Sequence, residues 1–109
     1  LVALIDRNRL QISGTTEQVM SQDPLELRWT AFGWNVISVP GNDMAAVDAA
    51  LTAAEHTSGK PSVIILNTTK GSGISFMENH AAWHHKVMTE EQYRMALEEL
   101  EERKAQLNG

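Results

Sequence analysis

Residues 34–67 read WNVISVPGNDMAAVDAALTAAEHTSGKPSVIILN, and this stretch decides the fold. Trp34 to Val39 has the β-branched content of a strand and closes on Pro40-Gly41, a turn. Asn42-Asp43 offers side-chain oxygens to the free N–H groups of a helix start. Met44, Val47, Leu51 and Ala54 then recur at helical spacing, and the helix stops near Ser58-Gly59. Pro61 precedes a second apolar run, Ser62 to Asn67, that reads as a buried strand.

Working outward, Leu1 to Ile5 (LVALI) reads as another buried strand, ended by the polar run Asp6-Arg7-Asn8-Arg9. With no initiator Met and no leading turn, that start predicts a chain that begins inside a domain, truncated or deliberately shortened. Leu10 to Ile12 extend a short edge segment before Ser13-Gly14 turns the chain. Asp23, Pro24 and Glu26 predict a helix start with Asp23 as the cap; Leu25, Trp29 and Phe32 share one face, and Gly33 ends the helix. Downstream lie a glycine-bearing loop from Thr68 to Phe76 and a polar, His-rich segment over 77–88. A last helix over roughly 90–107 follows, opened by a Thr89/Gln92 capping box and carrying the thin stripe Tyr93, Ala96, Leu97 and Leu100. Strands alternating with helices predict an α/β fold: a parallel sheet with helices on both faces and right-handed crossovers.

Composition narrows the function classes. At 109 residues, 42 % apolar and 21 % charged, the chain has the make-up of one small globular domain with one modest core. The net charge of −5 argues against nucleic acid as a partner, because that affinity rests on basic side chains that displace counterions. Six glutamates, Glu90, Glu91, Glu98, Glu99, Glu101 and Glu102, carry much of the acidity, which reads as a solvated helix face with pairs such as Glu99 with Arg103. No apolar run is long enough to span a membrane, and zero cysteines make the reducing cytoplasm the natural expectation.

Ligands of open α/β sheets bind beyond the carboxyl ends of the strands. Two segments leave strands there, residues 6–10 and 68–73, and are expected to face one crevice. Lys70 stands between two threonines and two glycines, where bare backbone approaches an anion and an ammonium neutralises it. A surface lysine in a turn is the bland alternative, since KGSG is neither a P-loop nor a dinucleotide fingerprint. The Asn8 amide oxygen is a hard neutral ligand suited to Mg²⁺ or Ca²⁺, although an Asn after a strand is most often a turn residue. His80 and His84 have zincin spacing, but Ala81 occupies the place of the general base, so zinc is a poor reading. His56, His80 and His85 read as exposed loop histidines. His84 stands out for its neighbour Trp83, itself a candidate core anchor.

Taken together, DRNRLQISGTT, DPLELRWTAFGWNVISVPGND, GKPSVIILNTTKGSGISFMEN and AAWHHKVMTEEQYRMALEEL resemble transketolases, specifically the half-length subunits of some bacteria. The resemblance implies a partial thiamine-diphosphate-binding fold, with residues 1–109 as the C-terminal portion of that domain. It implies metal binding by the Asn8 side chain and the Leu10 carbonyl, cofactor contacts from Lys70 and His84, and a role for His84 in proton transfer and substrate orientation. The implied cofactors are thiamine diphosphate and Mg²⁺ (or Ca²⁺). The implied reaction is transfer of a two-carbon ketol unit between sugar phosphates, in the pentose phosphate pathway. The family's Gly-Asp-Gly motif, its cofactor-binding glutamate and its pyrimidine-binding domain are absent, and His85 stands where many relatives have Gly. A partner domain or subunit is therefore expected, in a homodimer or heterotetramer, with the isolated chain inactive. Two alternatives stand beside this reading: 1-deoxy-D-xylulose-5-phosphate synthase, and a non-catalytic α/β interaction domain whose acidic helix binds a partner.

Overall fold

The last strand in sequence is the middle one in space. In a computed structural model describing residues 1–108, β5 (Ser62–Asn67) lies between β1 (Val2–Arg7) and β4 (Asn35–Pro40), parallel to both. Val63 stands opposite Ala3 and Val36, and Ile65 opposite Ile5 and Ser38. Flanked on both sides, Val63, Ile64 and Ile65 are fully buried, each stabilising the fold by roughly 1.5–3 kcal/mol relative to exposure.

Alternation along the strands sends successive side chains to opposite faces, and a helix covers each face. α3 (Met44–Glu55) packs Ala50 and Ala54 on Ile37, Val39, Ile64 and Leu66. α2 (Leu25–Ala31) lies on the other face, where Glu26 reaches both Arg7 and Ser38. The expected parallel sheet with two helical layers is present.

The buried stripe of α3 differs from the expected one. Ala54 faces the sheet as expected and Ala50 joins it, whereas Met44 is 70 % exposed and Leu51 42 %. Alanine's small side chain lets the helix approach the branched residues of β4 and β5, and the larger residues turn outward. The cap is Asp43, whose carboxylate accepts from the N–H groups of Ala45 and Ala46 at 2.9 and 3.2 Å.

β1 is not buried on both sides as LVALI suggested. It is an edge strand: Ala3 and Ile5 are half-buried, but Val2 and Leu4, on the α3 side, are exposed because α3 lies over β4 and β5.

Asp23 does not cap α2. Pro24 takes the cap position without a side-chain bond, and the Asp23 carboxylate pairs with Arg7 instead. The guanidinium brings a full positive charge to the carboxylate, which a backbone N–H does not. Gly33 ends α2 with φ +82°, as expected, while Phe32 stays exposed.

The short edge segment expected over residues 10–12 is present in part, while its antiparallel partner and the helix behind it have no counterpart in the sequence reading. β2 (Leu10–Gln11) and β3 (Gly14–Thr15) form a separate antiparallel pair, with Ile12 in its turn, and α1 (Thr16–Met20) follows behind a Thr15/Gln18 capping box.

α4 (Glu90–Asn108) opens on the anticipated capping box, Gln92 N–H to Thr89 Oγ1 at 3.2 Å and Thr89 N–H to Gln92 Oε1 at 3.1 Å. The expected Glu99–Arg103 pair is absent among the described residues. Glu99 instead accepts from Ser75, and Arg94 pairs with Glu90 at 3.3 Å. Of the apolar stripe only Ala96 is buried. The radius of gyration, 16.9 Å, exceeds the approximately 13 Å of a compact domain of about 100 residues. A flat three-stranded sheet and a long helix account for the excess. No described helix is long and apolar enough to cross a membrane.

Candidate functional site: a polar cavity at the carboxyl edge of the sheet

Parallel pairing brings the carboxyl ends of the three strands level, with Arg7 and Pro40 both opposite Asn67. The loops released there border a cavity of about 420 Å³, lined by Asp6 near the end of β1 and Asn8 after it, Asn42 after β4, and Thr68 to Ser72 after β5. Asn8 and Lys70 therefore share one crevice. The contribution of β4 was missed: Asn42 read as part of a helix cap, yet the strand-end rule that singled out the other two loops applies equally to it.

Short bonds tie the loops together. The Thr69 N–H donates to Asn42 Oδ1 at 2.7 Å, the Thr68 hydroxyl to the Asp6 carboxylate, and the Gly41 N–H to the Asn67 carbonyl at 2.9 Å. Gly41 is required by contact, since a Cβ there would lie 2.5 Å from the Thr68 methyl and 2.7 Å from Leu66 Cβ. Gly71 is required twice over: its φ is +71°, and a Cβ would lie 2.7 Å from the Met77 carbonyl oxygen. The loop closes where the Asn79 N–H donates to the Lys70 carbonyl at 3.0 Å.

Within the cavity Lys70 is half-buried and, among the described residues, takes part in no ion pair. Its ammonium is free to neutralise an anion beside the bare backbone of Gly71. Lys70 stands in a turn that borders this cavity.

Asn8 folds back on its own loop, its Oδ1 accepting the Leu10 N–H at 2.9 Å. Arg9 between them has φ +61°, and its carbonyl accepts the Thr16 N–H at 2.9 Å. Leu10 does not line the Lys70 cavity. It lines a second one, about 360 Å³, together with Arg9, Thr16 and Trp29, and Asp6 and Asn8 form the partition between the two. Asn8 keeps a second lone pair for a hard cation, and the Leu10 carbonyl belongs to the same loop. Among the described residues no group of three or more His, Asp or Glu side chains could hold a metal. The loop's donors are neutral oxygens, which fit Mg²⁺ only where phosphate oxygens and a further carboxylate complete the shell.

His84 lies outside the lining of both cavities. It is exposed, at the end of a 3₁₀ turn (Ala81–His84) beside β2, with the His85 ring edge-on at 4.6 Å. Trp83 is the anchor of that turn. Its Nε1–H donates to the Phe76 carbonyl at 3.1 Å, its ring meets Phe76 at 5.6 Å, and the Lys86 ammonium stands 4.5 Å from its centroid. The opposite side of the cavity loop is held by α4, where Glu99 accepts from the Ser75 hydroxyl at 2.7 Å and the Ser75 N–H at 2.6 Å. These bonds, the hydroxyl's first, hold the Glu99 carboxyl below its ordinary pKa.

A parallel sheet whose carboxyl-edge loops converge on a polar cavity with a free ammonium defines an α/β domain suited to a phosphorylated ligand. The particular family follows from sequence: residues 1–104 match "Transketolase, thiamine diphosphate binding domain", and the chain belongs to that family. It is 52 % identical over 103 residues to one of the subunits of the apulose-4-phosphate transketolase of Phocaeicola vulgatus, covering 94 % of this chain and 37 % of that protein. It is 44 % identical over 101 residues to the 6-deoxy-6-sulfo-D-fructose transketolase subunit SqwG of a Clostridium species, covering 93 % and 37 %. The crystal structure of transketolase from Campylobacter jejuni superposes with a TM-score of 0.84 at 27 % identity, over 92 % of this chain and 16 % of that one. The chain thus spans about 37 % of the length of these curated subunits. These matches do not favour either the deoxyxylulose-phosphate synthase or the interaction-domain alternative.

Proposed function

We propose that this chain supplies part of the cofactor site of a thiamine-diphosphate-dependent transketolase, which moves a two-carbon ketol unit from a ketose phosphate to an aldose phosphate in the cytoplasm, as in the pentose phosphate pathway. The observation that carries the reading is the shared cavity: in a chain of this family, the Asn8 and Lys70 loops meet at the carboxyl edge of one sheet. Residues 1–109 then correspond to the C-terminal portion of the diphosphate-binding domain. The rest of the site comes from a pyrimidine-binding domain or subunit, in a homodimer or heterotetramer.

In this reading the Asn8 amide oxygen and the Leu10 carbonyl hold Mg²⁺ (or Ca²⁺), and the Lys70 ammonium offsets diphosphate charge. Bound thiamine diphosphate supplies the carbanion-stabilising chemistry that carbon–carbon bond cleavage requires. This chain clamps, orients and moves protons. His84 is the group proposed for proton transfer and substrate orientation. Imidazole titrates near neutral pH, and its turn lies beside the strand that carries Leu10.

Calorimetric titration of the full-length protein with thiamine diphosphate, with and without Mg²⁺, tests the site; Mg²⁺-dependent binding weakened by Lys70→Ala is expected. Product analysis tests the reaction. Ketol transfer between sugar phosphates supports the proposal, and condensation of pyruvate with glyceraldehyde 3-phosphate overturns it.

A further inference from the structure

The two residues flanking Asn8 in sequence are both arginines, and both reach one carboxylate. Arg7 Nη2 bonds Asp23 Oδ1, and Arg9 Nη1 stands 3.8 Å from Asp23 Oδ2. Arg7 is the more enclosed, its side chain 12 % exposed, and its second arm meets Glu26 at 3.2 Å. Asp23, just before α2, thus bonds Arg7 on one side of Asn8 and stands within ion-pair distance of the exposed Arg9 on the other, a position missed when its residue type was read as a helix cap.

We infer that Asp23 is a positioning residue for the proposed metal loop, fixing Asn8 and Leu10 through Arg7 and Arg9; the inference rests on the function proposed above. Arg9 shows why a clamp is needed. At φ +61° it occupies the left-handed region, which costs a non-glycine residue roughly 1–2 kcal/mol. The relaxed alternative is extended backbone, which would swing Leu10 away from Asn8 and break the 2.9 Å bond between them. Two restraints oppose that relaxation: the Thr16 N–H on the Arg9 carbonyl and the Asp23 carboxylate on the Arg9 guanidinium. Arg7 holds the other end of the loop to α2. Glu26 differs, because it reaches Arg7 and Ser38 but not Arg9, so it holds the helix to the sheet without gripping the loop on both sides.

The experiment measures the Mg²⁺ concentration that half-saturates thiamine diphosphate binding by the full-length protein, using calorimetry, alongside its thermal midpoint. Groups that orient metal ligands typically contribute about 10–100-fold to metal affinity. Asp23→Asn is therefore expected to raise the half-saturating Mg²⁺ at least about tenfold, and Asp23→Glu to recover part of the loss. Arg9→Met, at a side chain 58 % exposed and so safe for folding, is expected to reproduce part of the shift. Glu26→Gln is expected to lower the thermal midpoint while moving half-saturation less than about threefold, since it removes no restraint on Arg9. An unchanged Mg²⁺ requirement in both Asp23→Asn and Arg9→Met would overturn the inference, as would a shift in Glu26→Gln equal to that in Asp23→Asn. Absence of Mg²⁺-dependent binding in the unmodified protein would overturn the proposed function itself.

Discussion

Replacing Gly71 by Ala separates backbone strain from collision in the cavity loop. Two penalties coincide at that position. The left-handed φ of +71° costs an L-residue roughly 1–2 kcal/mol. The added Cβ would also meet Met77 O at 2.7 Å and Met77 C and Cβ at 2.8 Å. Two of those atoms are backbone and cannot rotate away, so the strand of loop at Met77 must move. Gly59 supplies the control, because its φ of +80° is equally left-handed and no atom lies within 4 Å of its added Cβ. Gly59→Ala is thus expected to cost about 1–2 kcal/mol from conformation alone. Gly71→Ala carries that cost plus about 1–3 kcal/mol of overpacking. Urea unfolding of the two variants gives the difference. Since Gly71 and Met77 both line the cavity, Gly71→Ala is also expected to weaken thiamine diphosphate binding, and Gly59→Ala to leave it unchanged. Equal unfolding midpoints and equal binding in the two variants would refute the packing of Met77 against Gly71.

Three further outcomes are expected. His84→Ala lowers kcat by about 10²–10⁴-fold with little change in cofactor Kd, whereas Asn8→Ala acts on Mg²⁺ and cofactor affinity and responds to excess metal; normal turnover of His84→Ala at raised thiamine diphosphate would remove its proton-transfer role. Ala54→Leu, on the nearly closed contact of α3 with β4 and β5, lowers stability by about 1–3 kcal/mol, read as a lower urea midpoint. Because Glu99 titrates below its ordinary value in the folded chain, its contribution is present above the unfolded pKa and is lost as pH falls through the folded one. The protection factor of the Ser75 amide against hydrogen exchange should therefore drop as the pH falls below the ordinary glutamate range, and Glu99→Gln should abolish that step.

The sheet was legible because β-branched runs and glycine or proline stops are local signals: the range of β5 and the ends of α2 and α4 came out where Pro61, Gly33 and the Thr89/Gln92 box put them. The common crevice of Asn8 and Lys70 was legible from topology alone. What escaped depended on contacts between distant residues. Asp23 has the composition of a cap, and only the nearness of Arg7 redirects it. Met44 and Leu51 have core chemistry, and only the closeness of α3 to the sheet puts Ala50 beside the expected Ala54 in their place. Leu1 to Ile5 has the hydrophobicity of a central strand, and only the reach of α3 leaves one side bare. Asn42 was assigned to a helix start although it also stands at a strand end. The distance of His84 from the cavity lining depends on how Trp83 seats on Phe76, which no spacing encodes.

The placement of β5 between β1 and β4 also orders the assembly of the molecule. β4, α3 and β5 are contiguous and can pair through one short crossover, whereas β1 must wait for β5 before Val2 can meet Ser62. Closing that long loop costs more entropy than the local pairing. The cavity draws Asp6 and Asn8 from β1's side and Thr68 to Ser72 from β5's, so it exists only after the first strand has docked. Any ligand held between those loops therefore acts as a latch on β1, adding its binding free energy to the step that docks β1 on β5 and slowing its release.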